Sequence, residues 1–210
     1  MLPLFPLSLV AFPSEPVNLH IFEPRYRQLV KECMEEEIPF GIVPYIDGKL
    51  MSVGTRMFVT SLINTYPTGE MDIQTKGNGL FRIVTLENPM PTKLYAGAEI
   101  EPITSYEISD VFAQNTESVL ELFDQFQQLT DTELEFKDFE TYPLSFQLGH
   151  KIGFSLTEEF LLLQINTENH RLAYIANHLR EAVEMLQKIE RAKKMIALNG
   201  HFKYLDPLKF

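Results

Sequence analysis

The sequence predicts an α+β chain: a strand-rich first half that forms a small closed or partly closed barrel, then a helical second half. Three observations carry this. Short apolar runs separated by turn residues fill the first hundred positions, one helical stripe interrupts them after Pro24, and a helical period takes over from Ser109 onward. The change of character puts a boundary near residue 105, giving a β-rich lobe over 1–105 and a helical lobe over 106–210.

The elements follow in order. Leu2–Val10 alternates with Pro3 and Pro6, which predicts an edge strand. Val17–Phe22 is a second short run. Pro24 then opens a helix, because Tyr26, Leu29, Val30 and Cys33 fall on one helical face and proline suits a first helical position, with Glu23 just before it. Glu35, Glu36 and Glu37 lie at the unfavourable end of that helix dipole, so the helix should fray there. Phe40–Tyr45 reads as a strand, followed by an Asp47-Gly48 turn. Met51–Tyr66 is β-prone, Pro67-Thr68-Gly69 turns the chain, and Met71–Lys76 continues through the bend Gly77-Asn78-Gly79 into Leu80–Leu86. After the break Asn88-Pro89-Met90-Pro91, Leu94–Ile103 is the last strand.

In the second half, Val111, Phe112, Val119, Leu120, Leu122, Phe123, Phe126 and Leu129 make one amphipathic helix, and Thr130–Thr141 is an acidic connector. Pro143 starts a helix over Phe146, Leu148 and Ile152. Ser155 and Glu158 form a capping box ahead of Phe160–Ile165. Asn166 or Thr167 caps a long helix whose stripe, Leu172, Ile175, Ala176, Leu179, Val183, Leu186, Ile189 and Ile196, predicts one buried face ending at an Asn199-Gly200 C-cap.

Composition limits function. The 210 residues are 45% apolar and 22% charged with a formal net charge of −11, which suits a globular domain. The acidity is spread: residues 1–103 hold 8 basic and 12 acidic groups, and the rest hold 10 and 17. Nucleic-acid affinity rests largely on cation–phosphate contacts, so RNA or DNA is an unfavoured partner. No run of 18 apolar residues is present, and a membrane partner is not expected. A single cysteine, Cys33, allows no internal disulfide and fits a reducing, cytoplasmic setting. The apolar N-terminus has no Lys or Arg before Arg25 and is broken by four prolines, so it does not read as a signal peptide.

A search for chemistry finds no catalytic signature. The nearest approach to a phosphate loop, Gly41 to Gly48-Lys49, has the wrong spacing and is followed by Leu50. No G-x-S-x-G or H-E-x-x-H occurs. The histidines His20, His150, His170, His178 and His201 include no pair at i, i+4, so no metal is expected, and no cofactor. Glu158 and Glu159 are explained by a helix N-terminus, and Arg191, Lys193 and Lys194 by a helix C-terminus. Arg25, Arg27 and Lys31 form a small cationic cluster that reads as a solvated face or as a contact for an acidic partner.

Several motifs together are family-specific. Leu2-Pro-Leu-Phe-Pro-Leu7, Phe12-Pro13 and Leu19-His-Ile-Phe-Glu-Pro-Arg-Tyr26 resemble the opening of the Lon substrate-binding domain, the N-terminal domain of the ATP-dependent protease La that also occurs in stand-alone bacterial proteins and in cereblon. Phe40-Gly-Ile-Val43, Val53-Gly54-Thr55, Gly79-Leu-Phe-Arg-Ile83 and Glu159-Phe-Leu-Leu-Leu-Gln164 with Arg171-Leu172 follow in the family's order. The resemblance implies a PUA-like β pseudobarrel followed by an α-helical bundle. It implies a non-catalytic module, without the ATPase and peptidase parts of the protease, that binds unfolded or apolar polypeptide segments or a specific protein partner. The start of the first helix is implicated in substrate handling in the family, which points here to Phe22, Glu23, Arg25 and Tyr26; the surrounding residues, Pro24 included, match the stand-alone branch. A PUA-like barrel also allows RNA or a small ligand as alternative partners by analogy of fold.

Overall fold

The computed structural model describes residues 1–104, 113–130, 133–139 and 142–201. Among the described residues there are seven strands, β1 (Leu2–Leu7), β2 (Pro16–Ile21), β3 (Phe40–Ile46), β4 (Lys49–Leu50), β5 (Val53–Thr65), β6 (Met71–Glu87) and β7 (Ala96–Ile103), with helix α1 (Pro24–Glu35) between β2 and β3 in the chain. The helical half holds α2 (Ala113–Thr130), α3 (Leu144–Gly149), α4 (Leu156–Gln164) and α5 (Glu168–His201).

The sheet runs β1-β7-β6-β5-β3, and a parallel pairing of β3 with β1 closes it into a ring. β1 is therefore not an edge strand, as its prolines predict, but the strand that shuts the pseudobarrel. The prolines are tolerated because the two ladders barely overlap. Pro3 lies opposite Gly97 of β7 before the β3 ladder starts at Leu4, and Pro6 lies opposite Val43 of β3 after the β7 ladder has ended. A missing amide on an unpaired flank breaks no ladder bond. Asp47 and Gly48, both at positive φ, make the tight β3–β4 turn as expected. β6 is one continuous strand through Gly77-Asn78-Gly79, with a register shift against β5 at that point. The Val53-Gly54-Thr55 motif has a steric cause: a Cβ on Gly54 would stand 2.5 Å from the Ile42 carbonyl oxygen.

α1 packs its stripe of Tyr26, Leu29, Val30 and Cys33 against Phe5, Phe40, Ile42, Met57 and Ile73 of the barrel. Glu32 ties its outer face to the chain before β7, accepting from Lys93 Nζ at 2.7 Å, Gln28 Nε2 at 2.9 Å and the Tyr95 hydroxyl. Burial would raise the Glu32 pKa, but these donors outweigh it and hold the carboxyl below its usual value. The helix ends at Glu35, leaving Glu36 as its C-cap and Glu37 at φ 54°.

The second core joins the two halves. Val10, Phe12, Val53 and Leu80 from the β-rich half pack with Val119, Phe123 and Phe126 of α2, Phe146 and Leu148 of α3, and Leu172, Ile175 and Leu179 of α5. Phe12 is wholly buried, with its ring 4.9 Å from Phe146 and 4.8 Å from His150. The Ser155–Glu158 capping box forms at α4, and Thr167 caps α5 by accepting from the His170 amide. Buried Arg171 pairs with buried Glu168 at 2.9 Å and with Ser145, and donates to the Ile165 and Asn166 carbonyls.

Two helical expectations are corrected. Ile189 and Ile196 are exposed rather than buried, because α5 spans 34 residues and α2, the helix packed along it, only 18. The helix also continues through Asn199-Gly200 to His201 instead of ending there; an interior glycine weakens a helix by about 1 kcal/mol but does not break it. The expected boundary at residue 105, and Val111 and Phe112 of the α2 stripe, lie outside the described residues.

Candidate polypeptide-binding surface

The site is built on the turn from β2 into α1. Glu23 is extended, and its carbonyl accepts the amides of Tyr26 and Arg27, which starts the helix. Its carboxylate does not cap. It turns outward to bond Arg25, 2.9 Å from Nε and 2.8 Å from the second guanidinium nitrogen. That pair holds the Arg25 guanidinium 4.5 Å above the Tyr26 ring centre. Tyr26 itself is buried and stacked on Phe5 at 3.9 Å; burial raises its pKa, with Arg25 lowering and Glu23 raising it to smaller extents. Of the four residues singled out from sequence, Phe22, Glu23 and Arg25 thus share one open surface, and Tyr26 supports it from below.

Phe22 is 58% exposed, the most exposed Phe or Tyr ring among the described residues. It does not stand alone. The His20 ring lies 6.1 Å from it at an interplanar angle of 23°, and Tyr66 meets His20 edge-on at 5.8 Å. Asp72 fixes both neighbours, accepting from the Tyr66 hydroxyl at 2.7 Å and lying 2.7 Å from His20 Nδ1. These hydrogen bonds hold the Asp72 carboxyl below its usual range. The result is a ledge of three rings, Phe22, His20 and Tyr66, and the Glu23–Arg25 pair follows Phe22 directly in the chain.

His20, Tyr66 and Asp72 were not singled out from sequence. His20 and Asp72 are Cα partners across β2 and β6, and Tyr66 begins the turn that follows β5, so their meeting depends on register. The alternation of exposed and half-buried residues along β2 is the one local signal that His20 faces outward. Arg27 fastens the ledge by donating to the Thr68 carbonyl at 2.7 Å, docking the β5–β6 hairpin onto α1. Gly69, at φ 85°, leaves room for that guanidinium; a Cβ there would come within 2.7 Å of it. The cationic cluster is thus engaged: Arg25 with Glu23, Arg27 with Thr68, and Lys31 with Glu35 at 3.8 Å.

Cys33 is buried, and burial together with Glu32 and Glu36 pushes its thiol up to about 12, far from a reactive thiolate. Among the described residues no group of three or more His, Cys, Asp or Glu side chains is placed to hold a metal ion. No described helix is long and apolar enough to cross a membrane. Between the two halves a cleft of about 280 Å³ is lined by Val53, Leu80, Arg82, Ile103 and residues 163–166.

Comparison with known proteins agrees with this architecture. The family model for the ATP-dependent protease La (LON) substrate-binding domain matches residues 1–181. The chain is similar in structure to the Lon N-terminal domain protein from Xanthomonas campestris, with a TM-score of 0.63 and 21% identity over 82% of this chain and 94% of that one. It is also similar to the N-terminal domain of the Mycobacterium avium complex Lon protease, with a TM-score of 0.62 and 13% identity over 85% of this chain and 97% of that one. With the pseudobarrel, the helices behind it and the sequence match across most of its length, the chain belongs to the Lon substrate-binding domain family.

Proposed function

We propose that this chain is a non-catalytic module that holds apolar or unfolded polypeptide segments on the ledge of Phe22, His20 and Tyr66. The observation that carries the reading is the exposure of Phe22 within a fixed aromatic cluster, in a family named for substrate binding. Aromatic rings held in place lose little conformational entropy on contact and present large apolar area. The Glu23–Arg25 pair beside them offers both an acceptor and a donor to a passing main chain. In this reading the β-rich lobe, residues 1–105, carries the client, and the helical lobe, 106–210, braces it through the shared core around Phe12. A single buried thiol suits a cytoplasmic, reducing location.

The test is fluorescence anisotropy of a labelled, permanently unfolded polypeptide titrated with the wild-type chain and with Phe22→Ser. A single-stranded RNA is run in parallel at two salt concentrations. Saturable, salt-tolerant polypeptide binding that weakens about tenfold or more in Phe22→Ser is expected. Equal binding by the two proteins would remove the ledge from the function, and binding of RNA alone, falling steeply with salt, would replace the reading with nucleic-acid recognition.

A further inference from the structure

A groove lies at the other end of α1, about 18 Å away by helix rise. β3 pairs with β5 only from Ile42 opposite Thr55 to Phe40 opposite Met57, whereas β6 accompanies β5 on its other flank as far as Thr65. From Phe58 to Leu62, β5 therefore has one flank with no neighbouring strand among the described residues. A groove of about 470 Å³ runs along it, walled on the far side by Cys33, Met34, Glu37 and Ile38. Five consecutive β5 residues line this groove. Side chains alternate between the faces of a strand, so a groove that touches every residue in turn follows the strand's flank, where backbone amides and carbonyls point.

Its charge is one-sided. Glu35, Glu36 and Glu37 crowd the C-terminal end of α1, where the helix already carries partial negative charge. Lys31 reaches Glu35 only at 3.8 Å, and no ion pair engages Glu36 or Glu37 among the described residues. The helix gains nothing from three acids at this position; a cationic partner would. The edge is also short. Thr60 has no Cα partner on β6, since Val59 lies opposite Thr75 and Ser61 opposite Gln74, and its hydroxyl donates to the Gln74 carbonyl at 3.0 Å. Such a bulge limits the pairing to a few residues. A second copy of this chain would bring the same acidic cluster against its own, which disfavours self-pairing.

We propose that the free flank of β5 takes a short extended segment of another polypeptide as an added strand, with an apolar side chain in the groove and a Lys or Arg beside Glu36 and Glu37. Main-chain hydrogen bonds to residues 58–62 would supply affinity, and the groove and the acids would select alternating apolar and basic sequences. This goes beyond the ledge reading and does not rest on it.

The experiment titrates the full chain with fluorescein-labelled peptides of alternating Val and Lys, and of alternating Val and Glu, and follows hydrogen exchange by mass spectrometry. Two further Val-Lys peptides carry backbone N-methyl groups at the odd or at the even residues. A strand bonds its neighbour through every second residue, so one methylated set is expected to abolish binding and the other to preserve it. Exchange should slow in residues 58–62, the Val-Glu peptide should bind at least tenfold more weakly, and Glu37→Lys should weaken the Val-Lys peptide about three- to tenfold. The proposal is overturned if the Val-Lys peptide does not bind, if both methylated sets bind alike, or if protection appears away from β5. None of these outcomes touches binding of unfolded polypeptide at Phe22, so the two readings fail separately.

Discussion

Replacing His150 with Gln should destabilise the protein at neutral pH and much less above about pH 9. His150 follows α3 and bridges the two halves: Nδ1 lies 2.7 Å from Glu159 of α4, and Nε2 lies 3.2 Å from Glu15 ahead of β2. Glu15 also accepts the Phe12 amide at 2.8 Å, so the ion pair and the buried Phe12 ring are parts of one joint. Burial favours the neutral imidazole, but hydrogen bonds and charge from Glu15 and Glu159 outweigh it and push the pKa from 6.5 up to about 9. Because the folded value lies above the unfolded one, the stabilisation is fully present below about pH 6.5 and is lost as pH rises through about 9. That difference corresponds to roughly 3 kcal/mol at most. The assay is urea unfolding followed by circular dichroism at intervals between about pH 6 and pH 10, for wild type and His150→Gln. The stability gap should be about 3 kcal/mol at the acid end and close to the small cost of lost ring packing at the alkaline end. A gap that stays constant across this range would refute the charged bridge and leave His150 as neutral packing. An imidazole NMR titration midpoint below about pH 7 would do the same.

Two further outcomes concern the same core. Glu168→Gln should cost about 3–5 kcal/mol in urea unfolding, because it strips a wholly buried Arg171 of its charge partner, and the double change Glu168→Gln with Arg171→Met should recover part of that loss; no recovery would mean the pair is not the source of the cost. Phe12→Ala should cost about 3–5 kcal/mol and speed amide exchange in both halves, since its ring is buried against Phe146 and His150; loosening confined to one half would show that the shared core does not couple them.

Much of this protein was determined locally. The α1 stripe of Tyr26, Leu29, Val30 and Cys33, the Asp47-Gly48 turn and the Ser155–Glu158 capping box depend on residues a few positions apart, and each forms where the sequence puts it. The family, too, is legible, because its motifs mark backbone constraints such as the close approach at Gly54. Phe22, Glu23 and Arg25 stand on one surface for the same reason, being neighbours at a helix start.

The tertiary structure alone decided what joins residues far apart. Proline spacing argues for an edge, yet β1 closes the ring, because strand neighbours are chosen by the whole sheet and each proline falls where one flank is vacant. The helical period marks Ile189 and Ile196 as a buried face, but burial needs a covering partner, and α2 is too short to reach them. Charged pairs such as His150 with Glu15, and the His20–Asp72–Tyr66 cluster that completes the ledge, leave no periodic trace, since hydrogen bonds are set by register and distance rather than by hydrophobic pattern. Sequence by itself thus determined the elements and the family, and the contacts that make a surface out of them came from packing across the chain.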